Sequence, residues 1–239
     1  MKKTSVKNIL SKILFLVYFL ITLQLIKPNK YKNMGFDNEA KDWDKDIKKV
    51  ERAKIFAEEI IDFIKPAKNM KALEFGCGTG LLSYELKDSF SSITLVDTSS
   101  GMIKVLQEKI KRDGIKNFKP FCSNLLEEEL KINNFDVIYT LMTLHHILDL
   151  DKILQIFNSK LKTNGLLCIA DLVKEDGSFH SESTTFDGHN GFDKEELSAI
   201  LLNHGFEIQF YKICAESERK IDGKIKKYPL FLMIIKKTS

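Results

Sequence analysis

Residues 73–80 read Leu-Glu-Phe-Gly-Cys-Gly-Thr-Gly, an apolar stretch that ends in an acid and then carries a glycine at every second position. Gly76, Gly78 and Gly80 open backbone conformations closed to other residues, and they let main-chain N–H groups approach a ligand with no side chain in the way. The octet therefore demands a strand, a tight turn and a helix in that order. Without a ligand it is a bare strand-to-helix turn, and with one it is a cradle. Its spacing separates cofactor classes. A dinucleotide fold uses G-x-G-x-x-G, with the pyrophosphate on the N-terminus of the next helix. Here the pattern is E-x-G-x-G-x-G, and an acid at Glu74 repels phosphate but suits a cationic amino-acid group.

On these residues the chain resembles the class I methyltransferases that use S-adenosylmethionine. The resemblance implies that Glu74, Phe75, Gly76, Cys77, Gly78, Thr79 and Gly80 hold the methionine and ribose part of that cofactor. The context agrees. A β-branched run, Ser92 to Val96, ends at Asp97, where an acid accepts hydrogen bonds from a ribose diol. Thr98, Ser99 and Ser100 offer caps for a helix through Met102, Val105, Leu106 and Ile110. The resemblance lays Thr98, Ser99 and Met102 along the adenosine, although Met102 serves equally as core packing. A third strand, 117–121, leads into Ser123, Asn124 and Leu125. Family members often carry an acid there for the adenine amino group, and in this chain Ser123 or Asn124 is left to accept that bond.

The fourth strand is Phe135 to Leu141, followed by Leu144, His145, His146 and Ile147, a Leu-His-His-Ile run that resembles the small-molecule branch of that family, including enzymes of quinone-type biosynthesis. Ligands of open parallel sheets bind beyond the carboxyl ends of the strands, which puts His145 and His146 at the rim of the site. Imidazole titrates near neutrality and can take a proton from a nucleophile or orient it; the alternative is that both histidines cap the next helix. A long polar connection, 171–192, must pass over the same edge, and connections of this length are usually functional or disordered. It brings His180 and His189 as further candidates for contact with the acceptor. Its acids and histidines (Asp171, Glu175, Asp176, His180, Asp187, His189) lack a metal-ligand spacing such as H-x-x-x-H, so no metal site is expected. No Asn/Asp-Pro-Pro-Tyr loop follows the fourth strand, and no Pro-Cys pair occurs, which argues against adenine-amino, glutamine-amide and pyrimidine substrates.

The chain has 239 residues, enough for one α/β domain with a full core and too few for two of comparable size. Helical patterns at 47–64, 150–161 and 193–203 alternate with strands, including ones expected at 166–170, 206–213 and 230–235, the last two joined by a charged connection through Gly223. Periodicity alone supports an alternating α/β class. The resemblance implies a doubly wound, mostly parallel seven-stranded sheet with an antiparallel last strand, the Rossmann-like methyltransferase fold, over residues 34–239. Residues 36–43 (Phe-Asp-Asn-Glu-Ala-Lys-Asp-Trp) resemble the start of many small-molecule methyltransferases, in which an N-terminal helix covers the pocket and Trp43 either walls it or anchors the core.

Residues 1–33 are a separate hydrophobic segment. Thirteen Ile, Leu, Val and Phe residues lie between Ile9 and Ile26. At about 0.3 to 0.6 kcal/mol each they outweigh the roughly 3 kcal/mol that Lys12 costs. A membrane anchor, with the domain facing the cytosol, and an upstream extension ahead of a start at Met34 are the two readings. The net charge of +4 comes with no basic stripe interleaved with aromatics, so no nucleic-acid partner is expected. Cys77, Cys122, Cys168 and Cys214 form no C-x-x-C pair and read as buried, reduced thiols of a cytoplasmic protein. The expected activity is methyl transfer to a small-molecule acceptor by in-line displacement. The rivals are a non-catalytic cofactor-binding partner protein of the same fold, a nucleotide-dependent oxidoreductase, and an RNA or protein methyltransferase. Oligomeric state is not readable.

Overall fold

The structure, a computed structural model, describes residues 35–181 and 186–238. The anchor and alternative-start readings of the first 33 residues lie outside them. Among the described residues no helix is long and apolar enough to cross a membrane.

Seven strands form one sheet: β1 (Lys71–Phe75), β2 (Ser92–Asp97), β3 (Phe118–Cys122), β4 (Phe135–Leu141), β5 (Leu161–Leu172), β6 (Phe206–Ile221) and β7 (Lys224–Lys237). Their order is β3-β2-β1-β4-β5-β7-β6. All neighbours from β3 to β5 pair in parallel, and β7 runs antiparallel to both β5 and β6. The expected Rossmann-like architecture is therefore present. Strand order reverses between β1 and β4, the crevice where open α/β sheets take their ligands.

Among the described residues, six α-helices accompany the strands: α1 (Phe36–Glu39), α2 (Ile47–Ile64), α3 (Leu81–Leu86), α4 (Ser100–Asp113), α5 (Leu150–Lys160) and α6 (Lys194–Asn203). Side chains that alternate along the strands divide the core into two layers, because successive residues of a strand face opposite sides. Ala72, Ile93, Leu95, Val137 and Tyr139 pack with Ala53, Phe56, Ala57 and Ile60 of α2 and with residues of α3 and α4. Leu73, Val96, Ile138, Leu167 and Ile169 pack with Ile153, Leu154 and Phe157 of α5 and Leu197 and Leu201 of α6. Caps set the helix starts. The side chains of Asp46, Ser99, Asp149 and Asp193 each accept a backbone N–H of the first turn that has no partner inside the helix.

Three expectations need correcting. The charged connection through Gly223 is a β-ribbon: β6 and β7 stay paired out to Ile221 and Lys224. Asp222 and Gly223 turn there with φ of 48° and 80°, the two positive values a tight hairpin turn requires. The fifth strand, expected at 166–170, begins at Leu161, directly after α5, with a register shift against β4 between Phe135 and Val137; Asn164, with φ of 64°, sits in the left-handed region within that strand. Of the four cysteines, Cys77 and Cys168 are buried but Cys122 is exposed, since β3 is an edge strand with one unpaired side.

Candidate active site

The glycine loop closes as its spacing demands. Gly76, Gly78 and Gly80 have φ of 69°, 52° and 81°. The N–H groups of Gly76 and Cys77 both donate to the Val96 carbonyl at 2.8 and 3.1 Å, which straps the loop onto the end of β2. A Cβ at Gly76 would fall 2.2 Å from the Thr143 side chain, and one at Gly80 would fall 2.7 Å from Leu106. At Gly78 a Cβ would meet no clash, with Trp43 Nε1 and Met102 Sδ at contact distances of 3.8 and 3.9 Å. Asp97 meets the loop there. One carboxylate oxygen accepts the Gly78 N–H at 2.7 Å and the other accepts the Ser99 N–H at 2.8 Å. Burial raises the Asp97 pKa, opposed by these N–H bonds.

Glu74 departs from the role expected of it. Its carboxyl is 2% exposed and accepts the Ser83 hydroxyl, which also bonds Tyr139 at 2.7 Å. Burial pushes its pKa up to about 8, so near neutrality it is largely protonated, under the loop, and offers no full charge to an ammonium group. Phe75 and Cys77 are buried in the core, and Thr79 is buried with its hydroxyl donating to Asp44 at 2.5 Å. Thr98 is exposed and Met102 buried. At the third strand end, the Ser123 hydroxyl donates to Glu128 at 2.9 Å, the Asn124 side chain accepts the Leu126 N–H at 3.0 Å, and Leu125 is buried.

Two aspartates missed in the sequence pin the segment 35–46 across this cradle. Asp37 accepts the Ser99 hydroxyl at 2.5 Å and the Gly101 N–H at 2.7 Å. Asp44 pairs with Lys109 at 2.5 Å, and Lys109 also donates to the Thr79 carbonyl at 2.9 Å. Between them Phe36 packs edge-on against Trp43 and His146, with ring centroids 5.8 and 5.9 Å away. Trp43 thus lines the cradle, and Phe36 joins it to the histidines. The only local signal for either aspartate was its place beside Phe36 and Trp43.

The second part of the site lies beyond β4. A short helical turn, Leu144–His146, presents two histidines, and a similar turn, Ser178–His180, brings a third from the long connection. Ring centroids of His145 and His146 are 4.0 Å apart, and each lies 5.3 Å from His180. His145 is 1% exposed; its Nδ1 meets Asp171 at 2.6 Å, and its backbone N–H donates to the same carboxylate at 3.2 Å. Burial, reinforced by the neighbouring imidazoles, holds His146 down to about 2, and burial with His145 and Arg219 holds His180 at about 4. Both are neutral and weakly basic near pH 7, poor values for a general base there. Among the described residues, these three are the one cluster whose ligand atoms come within 4.8 Å of one another. His189 does not join them. Its N–H donates to the His145 carbonyl at 2.7 Å and its ring bonds the Ile147 carbonyl at 2.9 Å, so it fastens the connection to the rim.

The β6–β7 ribbon holds the His180 turn from the other side. Tyr228 bonds Ser178 at 2.7 Å, Lys226 pairs with Asp176 at 2.6 Å, and Arg219 lies 4.3 Å over the Phe179 ring. Arg52 of α2 also reaches this region, and its buried Nε has no partner. Burial, then the charge of Arg219, lowers its pKa, with Asp46 and Asp171 opposing.

A glycine cradle and an aspartate at the switch point of a β3-β2-β1-β4-β5-β7-β6 sheet define a Rossmann-like fold of the methyltransferase type. The family described as Methyltransferase domain matches residues 66–208, and the chain belongs to that family. An uncharacterized methyltransferase of Schizosaccharomyces pombe is 34% identical over 118 residues, covering 46% of this chain and 42% of that protein. A ubiquinone biosynthesis O-methyltransferase of Pelagibacter ubique is 34% identical over 111 residues, covering 46% of this chain and 45% of that protein. The chain thus matches less than half the length of these relatives. A solved phosphoethanolamine N-methyltransferase 2 of Haemonchus contortus superposes with a TM-score of 0.62 at 16% identity, over 77% of this chain and 52% of that one, and supports the fold alone.

Proposed function

We propose that this protein transfers a methyl group from S-adenosylmethionine to a small-molecule acceptor. The observation that carries the reading is the meeting of the glycine loop with Asp97, through the 2.7 Å Gly78 bond, at the sheet's switch point. The cradle fits such a cofactor: side-chain-free backbone at Gly78, an apolar flank from Trp43 and Met102, and a carboxylate suited to a ribose diol. Gly76, Gly78, Gly80 and Asp97 would hold it, with Thr98 and Met102 along the adenosine and Ser123 or Asn124 at the adenine. Bound there, it supplies an electrophilic methyl on a sulfonium. The family membership supports the same donor, and the Haemonchus contortus relative was solved with S-adenosylhomocysteine.

The chain's own task is alignment and exclusion of water. The segment 35–46, fixed by Asp37 and Asp44, covers the cradle and sets Phe36 and Trp43 between it and the histidines. His145 and Asp171 hold the rim, and Arg52 and Arg219 add positive potential that suits an acceptor bearing an anionic group. We place the protein in the cytosol, with residues 9–26 as the segment that would attach it to a membrane. The test is transfer of labelled methyl from the cofactor to a cell lysate separated into protein, RNA and small molecules. Label in the small-molecule fraction is expected. Label confined to RNA or protein overturns the acceptor class, and no thermal shift with S-adenosylhomocysteine overturns the donor.

A further inference from the structure

Three ring nitrogens, His145 Nε2, His146 Nδ1 and His180 Nε2, are buried without a hydrogen-bond partner. Buried polar atoms are nearly always paired, and a single orphan already calls for a reason. Here three converge from two separate segments of the chain, and one ligand atom from each histidine comes within 4.8 Å of the others. The remaining nitrogen of His145 is engaged by Asp171 at 2.6 Å, and that carboxylate is itself 0% exposed and held by the backbone N–H groups of His145 and Leu172 at 3.2 and 2.7 Å. This is the support a ligating histidine ordinarily has: a carboxylate on one nitrogen fixes the tautomer and leaves the other nitrogen a bare lone pair. Aromatic rings close the surroundings. Phe186 stacks on His180 at 3.8 Å between centroids, Phe36 packs on His146 at 5.9 Å, and Phe179 packs on His145 at 6.4 Å.

We infer that His145, His146 and His180 bind one divalent transition-metal ion of the zinc class. An all-imidazole set selects zinc, copper, nickel or iron over magnesium and calcium, which prefer oxygen ligands. Nitrogens about 2.1 Å from one ion stand roughly 3.4 Å apart, so the cluster draws in by about an ångström on binding, a change that ring rotation and the His180 turn supply. Three protein ligands leave the fourth position of such an ion open, as catalytic zinc sites do. Metal binding stands independently of methyl transfer; that the open position takes an oxygen or nitrogen of the acceptor rests on the function proposed above. The absence of H-x-x-x-H spacing, which argued against a metal, misses this set because two ligands are adjacent and the third comes from the connection after β5.

The experiment uses the untagged full chain, stripped with a chelator, reloaded with Zn2+ or with Co2+ as a spectroscopic stand-in, and dialysed. The expected result is one ion per chain by elemental analysis, with the strong visible absorption of four-coordinate cobalt. His180→Ala should lose more affinity than the about 10- to 100-fold that removing a supporting carboxylate costs, and Asp171→Asn should fall within that range. Cys122→Ser should bind like the parent, which excludes the exposed thiol. Circular dichroism checks that the variants fold, and the parent's own stoichiometry and cobalt spectrum decide the matter if they do not. No ion retained by the parent, or equal retention by His180→Ala, overturns the site. Because no methyl transfer is measured, that failure leaves the proposed activity untouched.

Discussion

The cradle and the rim are built by opposite means. The cradle is a contiguous run, Leu73 to Asp97, whose shape is set by backbone N–H groups and one carboxylate. The rim gathers Arg52, Thr143 to His146, Asp171, His180 and Tyr228 from across the chain, and side chains make nearly every contact. A backbone cradle tolerates change around it so long as its glycines remain, whereas a rim of side chains can be altered one residue at a time. On the function proposed above, the donor would therefore sit in the first and the acceptor preference in the second.

The sharpest way to break this division is Gly76→Val. Its φ of 69° and the Thr143 side chain, 2.2 Å from where a Cβ would stand, leave no room for a β-branched residue. Strain and overpacking cost about 1–3 kcal/mol each, a large part of a total stability of about 5–15 kcal/mol. Thermal unfolding should show a severely destabilised protein that no longer binds S-adenosylhomocysteine; a parental melting temperature would contradict the interlock. Asp97→Ala should come next, weakening that ligand about 10- to 100-fold in calorimetry for the loss of charge-assisted hydrogen bonds worth about 1.5–3 kcal/mol. Unchanged affinity would sink the ribose assignment.

Glu74→Gln tests the buried acid. Its folded pKa of about 8 lies above the ordinary 4.5, so between those values the folded protein keeps a proton that the unfolded chain has released. Stability of the parent should therefore fall as pH rises through that window, by up to about 1.4 kcal/mol per pH unit, and level off above it. Denaturant midpoints of the glutamine variant should stay nearly flat over the same range, and a parent that gains stability toward pH 8 would reverse the sign. The smallest effect expected is that of Tyr228→Phe. Loss of the Ser178 bond costs about 0.5–1.5 kcal/mol and should slow turnover while cofactor affinity stays parental. A shift in cofactor affinity instead would blur the line between cradle and rim.

Legibility in the sequence follows the same division. The glycine loop, Asp97, β4 and helix α2 were readable because each is fixed within a short window by glycine spacing, β-branched runs or helical period. His145 and His146 follow β4 directly, so their place in the chain was readable, but their partnership with Asp171 and His180 depends on how a long connection folds back over the sheet, which no local pattern encodes. The surroundings of Glu74 were illegible for a related reason. Its position in the octet pointed to a ligand, whereas its environment is set by Ser83 and Tyr139, the latter sixty-five residues downstream. The β6–β7 ribbon had a readable sign in Asp222-Gly223, yet the charged residues flanking it masked the strand pattern.

The Methyltransferase domain match begins at residue 66 and ends at residue 208. Neither the segment carrying Phe36 and Trp43 nor the outer ribbon with Arg219, Lys226 and Tyr228 falls within it. These two pieces flank the family's common part from opposite ends of the polypeptide, one lying over the glycine loop and the other bracing the His180 turn. Exchanging both together between family members would be the natural way to redirect the same chemistry toward a different molecule without rebuilding the machine beneath.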